Sequence, residues 1–222
     1  MPGSAKKKLK QRTPLTKERV LQAALRYADK HGIESLSMRH LGQALGVEAM
    51  SLYKHVANKD DILDGIVGLV VAEITVPKVG GNWKKEMRMR ALSAHAVLMK
   101  HRWATMLIVS RVNVGPAMLC YLNATVGSLV EAGFSYPLAD HASNAIDSYV
   151  YGFTLHLLNF PFQPEEYAAA AKQYLPMIPR DLYPYFYGIG SLVAEEKHDG
   201  INKLEFGLDL LLDGLDRLRR KS

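Results

Sequence analysis

Residues Ser37 to Lys59 constrain this chain more than any other stretch. Ser37 is a good helix N-cap, because its hydroxyl can accept a hydrogen bond from a free N–H of the first turn. Leu41 and Leu45 then fall four apart, on one face of a short helix. Gly46 ends that helix, since glycine enters the left-handed region without a Cβ penalty. Val47 turns inward, and a second short helix is expected over residues 48–55, with Leu52 and Val56 pointing in. Ala49, Met50, Ser51, Tyr53, Lys54 and His55 are left on the outside. Asn58 and Asp61 have the spacing of a capping box and open a third helix. Two short helices joined by a glycine-containing turn form the helix-turn-helix, whose second helix can lay its outer face in the DNA major groove.

The distribution of charge agrees. Residues 1–59 hold 12 Lys and Arg against 4 acids, whereas residues 60–222 hold 16 against 18. A basic N-terminal quarter on a near-neutral remainder suits a nucleic-acid-binding module carried by a body with another task. At 48% hydrophobic, the 222 residues can bury one large core or two small ones. Cys120 is the only cysteine, so no internal disulfide is possible, which fits a reducing cytoplasm. It lies in an apolar helical pattern and is expected in the core. The most apolar segment, 62–76, is broken by Asp64 and Glu73, so no membrane span is expected.

Residues 1–12, with Lys6, Lys7, Lys8, Lys10 and Arg12, are expected to form a disordered basic arm. A DNA-binding domain then covers 13–58, a connector helix 59–75 and a C-terminal domain 76–222. Thr16 caps the first helix, which runs to His31. The connector carries Ile62, Leu63, Ile66, Val67, Leu69 and Val70, is apolar nearly all round, and should be buried between two bodies. Helices are further expected over 83–100, 103–110, 116–132, 137–160, from Pro164 to before Pro176, and over 201–219. The third of these carries Leu119, Leu122, Val126 and Leu129. Residues 176–200 contain three prolines and are expected to be a loop with a helical turn. The fold class is all-α.

At the run Leu41-Gly-Gln-Ala-Leu-Gly-Val47 and the signature Leu52-Tyr-Lys-His-Val-Ala-Asn-Lys59, the chain resembles the tetracycline-repressor (TetR) family. The close resemblance covers residues 16–75. A weaker one covers the rest, where Phe206-Gly-Leu-Asp-Leu-Leu-Leu-Asp-Gly-Leu215 is similar to the last helix of the family's C-terminal domain. The resemblance implies a homodimeric, cytoplasmic transcription regulator, released as a repressor from palindromic double-stranded operator DNA by a small, largely apolar effector. It places DNA contacts at Arg39, Ala49, Met50, Ser51, Tyr53, Lys54, His55 and Lys59. Arg39 and Lys54 suit guanine O6 and N7. Tyr53, His55 and Lys59 suit phosphates, and Ala49 and Met50 a thymine methyl.

Two patterns mark the C-terminal body. Gly207 and Gly214 lie seven apart on the last helix, near a stripe with Leu211 and Leu218, while Leu204, Leu208, Leu212 and Leu215 fill the other side. By resemblance this stripe, with Tyr149 and Phe153 of the 137–160 helix, forms the dimer interface. The second pattern is a polar stripe, Asp140, Asn144, Asp147, Tyr151 and Thr154. A solvated face is the plainer reading of such a stripe. As a pocket, Asn144, Asp147 and Tyr151 would join Trp103, Met106, Met118 and Tyr121.

Tetracycline repressors hold their drug's magnesium chelate through histidines. Thr75 and Ile108 stand roughly at two of those positions, so no metal is expected. With no P-loop, dinucleotide fingerprint or G-x-S-x-G, neither cofactor nor enzyme activity is expected. Two other classes stay open: a ligand-independent architectural DNA binder, and an enzyme using Asp147, Tyr151 and His156, which lacks a nucleophile–base–orienter set.

Overall fold

Thr16 Oγ accepts a hydrogen bond from the backbone N–H of Arg19 and so starts α1, Lys17–His31. Its inward face is Val20, Ala23, Ala24, Leu25 and Ala28. Then come α2 (Met38–Leu45), α3 (Ala49–Leu52) and α4 (Lys59–Ala72). The C-terminal part comprises α5 (Trp83–Lys100), α6 (Ala104–Ser110), α7 (Pro116–Val130), α8 (Tyr136–Asn159), α9 (Tyr167–Tyr174), α10 (Pro184–Ala194) and α11 (Leu204–Arg219). This computed structural model describes residues 14–221, and among them there is no strand, so the fold is all-α. The basic arm expected over residues 1–12 lies outside the described residues. No helix among the described residues is long and apolar enough to cross a membrane.

The helix α4 is buried on more than one side. Ile62, Leu63, Ile66, Val67, Val70 and Val71 are all buried, between α1 on one flank and α5, α6 and α7 on the other. One continuous apolar core therefore runs from the N-terminal helices into the C-terminal bundle. Gly65 allows the α1–α4 approach, because a Cβ there would lie 2.5 Å from a Leu21 methyl.

The bundle core comes from α5, α7, α8 and α11. On α11, Leu204, Leu208, Leu212 and Leu215 are buried, as the sequence pattern requires. Ion pairs Lys84–Asp213 and Arg88–Asp209 cross from α5 to α11, but they are exposed and add little to stability.

Several sequence expectations change. Residues 176–200 are not a loop, for α10 occupies 184–194. Pro184 stands in its first turn, where no N–H is needed, so that proline opens a helix rather than ending one. The second helix of the turn motif stops at Leu52, and Tyr53 to His55 continue only as a turn. The last helix starts at Leu204 rather than Ile201. On α7 the buried face is Met118, Tyr121, Thr125, Ser128 and Leu129. Leu119, Leu122 and Cys120 lie outside that buried face, and Cys120 is exposed and not in the core.

Candidate nucleic-acid interface and ligand cavity

Two glycines shape the turn between α2 and α3. Gly46 takes φ 67° and ψ 35°, the left-handed conformation that ends α2. Gly42 has a different task. The Val47 N–H donates to the Gly42 carbonyl at 3.0 Å, and a Cβ on Gly42 would lie 2.9 Å from the Val47 oxygen and 3.2 Å from the Ala49 nitrogen. Only a residue without a side chain lets α3 cross α2 this closely.

Ser37 Oγ accepts from the His40 N–H at 3.2 Å, and the His40 Nδ1 lies 2.9 Å from the Ser35 carbonyl oxygen. The His40 ring stacks on Tyr27 of α1 at 5.8 Å between centroids, which fixes α2 against the supporting helix. Leu52 and Val56 anchor the far side of α3 in the core. Met50, Tyr53 and Lys54 are exposed as a result, as is Arg39 on α2, while Ala49, Ser51 and His55 are half-buried.

Lys59 is the exposed first residue of α4, beside N–H groups that favour an anion. That end is built by Asn58 Oδ1, which accepts from the Asp61 N–H at 2.8 Å, and by Asp61 Oδ2, which accepts from the Ala57 N–H at 3.0 Å. Lys17 Nζ of α1 meets Asp61 at 2.8 Å. These hydrogen bonds, from Lys17 first and Ala57 second, hold the Asp61 carboxyl below its ordinary range.

Two polar clusters tie α4 and α1 to the C-terminal bundle, and sequence reasoning found neither. Arg111, after α6, bridges Asp60 at 3.0 Å and Asp64 at 2.8 Å on α4. Asn113 Nδ2 donates to the Asp64 carbonyl at 3.0 Å. At the other end of α4, buried His101 lies 2.7 Å from Asp29 of α1 and 3.3 Å from Glu73. Trp103 Nε1 donates to the same Asp29 oxygen at 2.8 Å. Each set joins residues from separate helices and loops that lie far apart in sequence, so no local pattern announces it.

Between α4, α6, α7 and α8 lies a cavity of about 390 Å³. Val71, Ile74, Ile108, Val114, Met118 and Leu122 supply much of its apolar wall, and Tyr121, Tyr151, Arg111 and Asn113 its polar groups. Met118, Tyr121 and Tyr151 of the candidate pocket set lie in this wall. The other four candidates do not line it. The indole N–H of Trp103 is engaged with Asp29, Met106 is largely exposed, and Asn144 bonds back to Asp140 on the outside of α8. Asp147 is paired with Arg90 of α5, a guanidinium that is 1% exposed. Burial pushes the Asp147 carboxyl up against the opposing pull of Arg90. The Arg90 guanidinium carbon also stands 5.1 Å from the centroid of the Tyr121 ring. Arg90 could have been flagged, since it falls on the same face of α5 as Met87, Ala91 and Ala94. His156, the third residue of the enzyme reading, is exposed beside Phe160 and away from this cluster.

Of the interface candidates, Gly207 is covered within its own chain. A Cβ there would lie 2.4 Å from the Tyr149 hydroxyl, which donates to the Leu204 carbonyl at 3.0 Å. Gly207 therefore serves the α8–α11 contact, not a close approach of two last helices. Phe153 packs edge-on against His95. A Cβ on Gly214 meets nothing within 4 Å, Leu211 is half-buried and Leu218 is exposed.

Comparison with known proteins decides the family. Residues 76–219 match the tetracyclin repressor-like C-terminal domain, and residues 20–66 match the bacterial regulatory proteins of the tetR family. The chain belongs to the TetR family. A transcriptional regulator of the helix-turn-helix type from Saccharopolyspora erythraea is 34% identical over 139 residues, which span 62% of this chain and 59% of that protein. The transcriptional repressor DrrR1 of Streptomyces coeruleorubidus is 28% identical over 92% of this chain and 78% of its own. Among solved structures, the TetR-family protein ActR of Streptomyces coelicolor, in complex with (S)-DNPA, superposes with a TM-score of 0.77 at 26% identity, covering 91% of this chain and 98% of that one. This TetR-family chain is thus a DNA-binding transcriptional regulator with the family's two-part helical architecture.

Proposed function

We propose that this chain is a cytoplasmic, homodimeric repressor that leaves a palindromic operator when a small, largely apolar effector enters the α4–α7 cavity. The observation that carries the reading is the position of α4. One helix is packed against α1 and α7 together, with the Arg111 ion pairs holding the cavity's loop to its first turns. Packed cores shift between discrete arrangements, so a ligand beside Val71 and Ile74 moves α4, and with it α3. The similar TetR-family protein ActR forms a complex with (S)-DNPA, which supports a small-molecule effector here. On this reading residues 13–58 bind DNA, 59–75 connect, and 76–222 bind ligand and dimerise.

Exposed apolar surface supports the dimer. On α10 only Ala194 is buried, and Tyr185, Phe186 and Ile189 are exposed. An unpartnered surface of that kind is the mark of an interface. Gly214→Leu places a side chain into the open stripe of α11. The expected result is a helical monomer by sedimentation with weakened operator binding. An unchanged dimer moves Gly214 out of the interface.

The DNA contacts are tested by a division of roles. Lys54→Ala should cost about 1–3 kcal/mol on the operator and relax preference at one base position. Lys59→Ala should weaken operator and random DNA alike and reduce the salt slope by about one unit. Anisotropy titrations across salt concentrations check both. Equal effects of the two changes on operator and random DNA contradict the assignment.

A further inference from the structure

We infer that the α4–α7 cavity selects an uncharged, predominantly apolar compound that offers a carbonyl oxygen to the Tyr121 and Tyr151 hydroxyls; this rests on the reading of that cavity as the effector site. Tyr121 lines the cavity, is 2% exposed, and its hydroxyl has no hydrogen-bond partner among the described residues. A buried hydroxyl left unpaired is costly, and a ligand acceptor that reaches it as the wall shifts on binding would satisfy it. Burial raises the pKa of both tyrosine hydroxyls above the ordinary phenol value, so each stays protonated, presents an O–H donor and calls for an acceptor.

The surrounding charges set the second half of the specificity. The two arginines close to the cavity are already matched. Arg111 stands between Asp60 and Asp64, and Arg90, behind the Tyr121 ring, is held by Asp147. An anion would compete with those carboxylates for a cation. A cation would find no carboxylate in the cavity wall, which carries only Arg111, Asn113, Tyr121 and Tyr151 as polar residues. What remains favoured is a neutral molecule with apolar bulk and a well-placed acceptor, in a space of the size that takes such ligands.

Three probes of similar shape separate the possibilities: 9-fluorenone, its parent hydrocarbon fluorene, and 9-fluorenone-4-carboxylate. Equilibrium dialysis against the full chain should retain fluorenone about tenfold more tightly than either of the others, the difference one buried hydrogen bond makes. Tyr121→Phe, which removes only the hydroxyl, should bring fluorenone down to the fluorene level and leave fluorene unchanged. Tyr151→Phe serves as the second variant, with a partial loss of the same preference. The inference is overturned if the carboxylate binds tightest, if ketone and hydrocarbon bind alike, if Tyr121→Phe keeps the ketone preference, or if none of the three is retained. Operator release is measured in parallel. A ketone preference lost in Tyr121→Phe, with operator binding unaffected at saturation, upholds the cavity chemistry and removes the effector reading. Release of the operator by fluorene or the carboxylate with no ketone preference does the reverse.

Discussion

Arg90→Leu should lower the stability of the folded chain by about 3 kcal/mol, the low end of what breaking a buried ion pair costs. The low end applies because the Asp147 side chain keeps 22% exposure while that of Arg90 keeps 1%. Removing the cation leaves the carboxylate on α8 against apolar surroundings and takes away the cation behind the Tyr121 ring. The change also has a pH signature. Burial already raises the Asp147 carboxyl, and Arg90 is what opposes it. Without Arg90 the folded-state pKa lies further above its unfolded value. A raised pKa means stability is greatest at low pH and falls as pH rises through the folded value. The variant should therefore regain stability on acidification from neutral pH, over a range where the parent changes less. Adding Asp147→Leu should restore most of the loss at neutral pH, since no charge is then left buried. Urea unfolding followed by circular dichroism at several pH values measures all three. A single variant that unfolds like the parent, or a double variant no better than the single, contradicts the account.

The second large effect is at Gly42. Gly42→Ala should abolish tight operator binding and cost about 1–3 kcal/mol, the range for forcing atoms into a packed site. The new Cβ would meet backbone, at 2.9 Å from the Val47 oxygen, and backbone at that turn cannot swing aside as a flexible side chain can. Gly46→Ala is the matched control. There a Cβ meets nothing within 4 Å, and the only penalty is a side chain at φ 67°, about 1–2 kcal/mol. Gly46→Ala should therefore keep the crossing of α3 over α2 and most of the DNA affinity. Equal losses from the two would mean that dihedral strain, not space, governs the turn.

These two glycines show what a sequence discloses. Gly46 is legible because it follows the last apolar residue of a helical pattern, where left-handed backbone is the rule. Gly42 is mid-helix, and its reason lies in a crossing that no local pattern describes. The same division holds elsewhere. The caps Thr16, Ser37 and Asn58, the buried leucines of α11 and the all-round burial of α4 follow from short-range spacing. The ion pairs of Arg90 and Arg111 and the His101 cluster join distant segments and were not anticipated. In the cavity wall, Met118, Tyr121 and Tyr151 carry the aromatic and sulfur side chains that suit pockets. Trp103 has the same chemistry but spends its indole N–H on Asp29, and Asp147 spends its carboxylate on Arg90. Residue type alone does not say which partner is nearer. The helix α10 is hard to read because three prolines over 176–200 suggest a loop, although Pro184 favours a first turn.

On the proposed reading, a dimer of this chain reads a symmetric DNA site through α3 and its flanking residues. Hydroxyl-radical footprinting, on fragments selected from genomic DNA by the purified protein, tests it most directly. Two protected half-sites related by a dyad are expected. Their centres should be separated by one helical turn, about 34–36 Å, or a multiple of it. In Lys54→Ala both half-sites should weaken together. A single unsymmetrical footprint, or protection spread over every sequence alike, would contradict it.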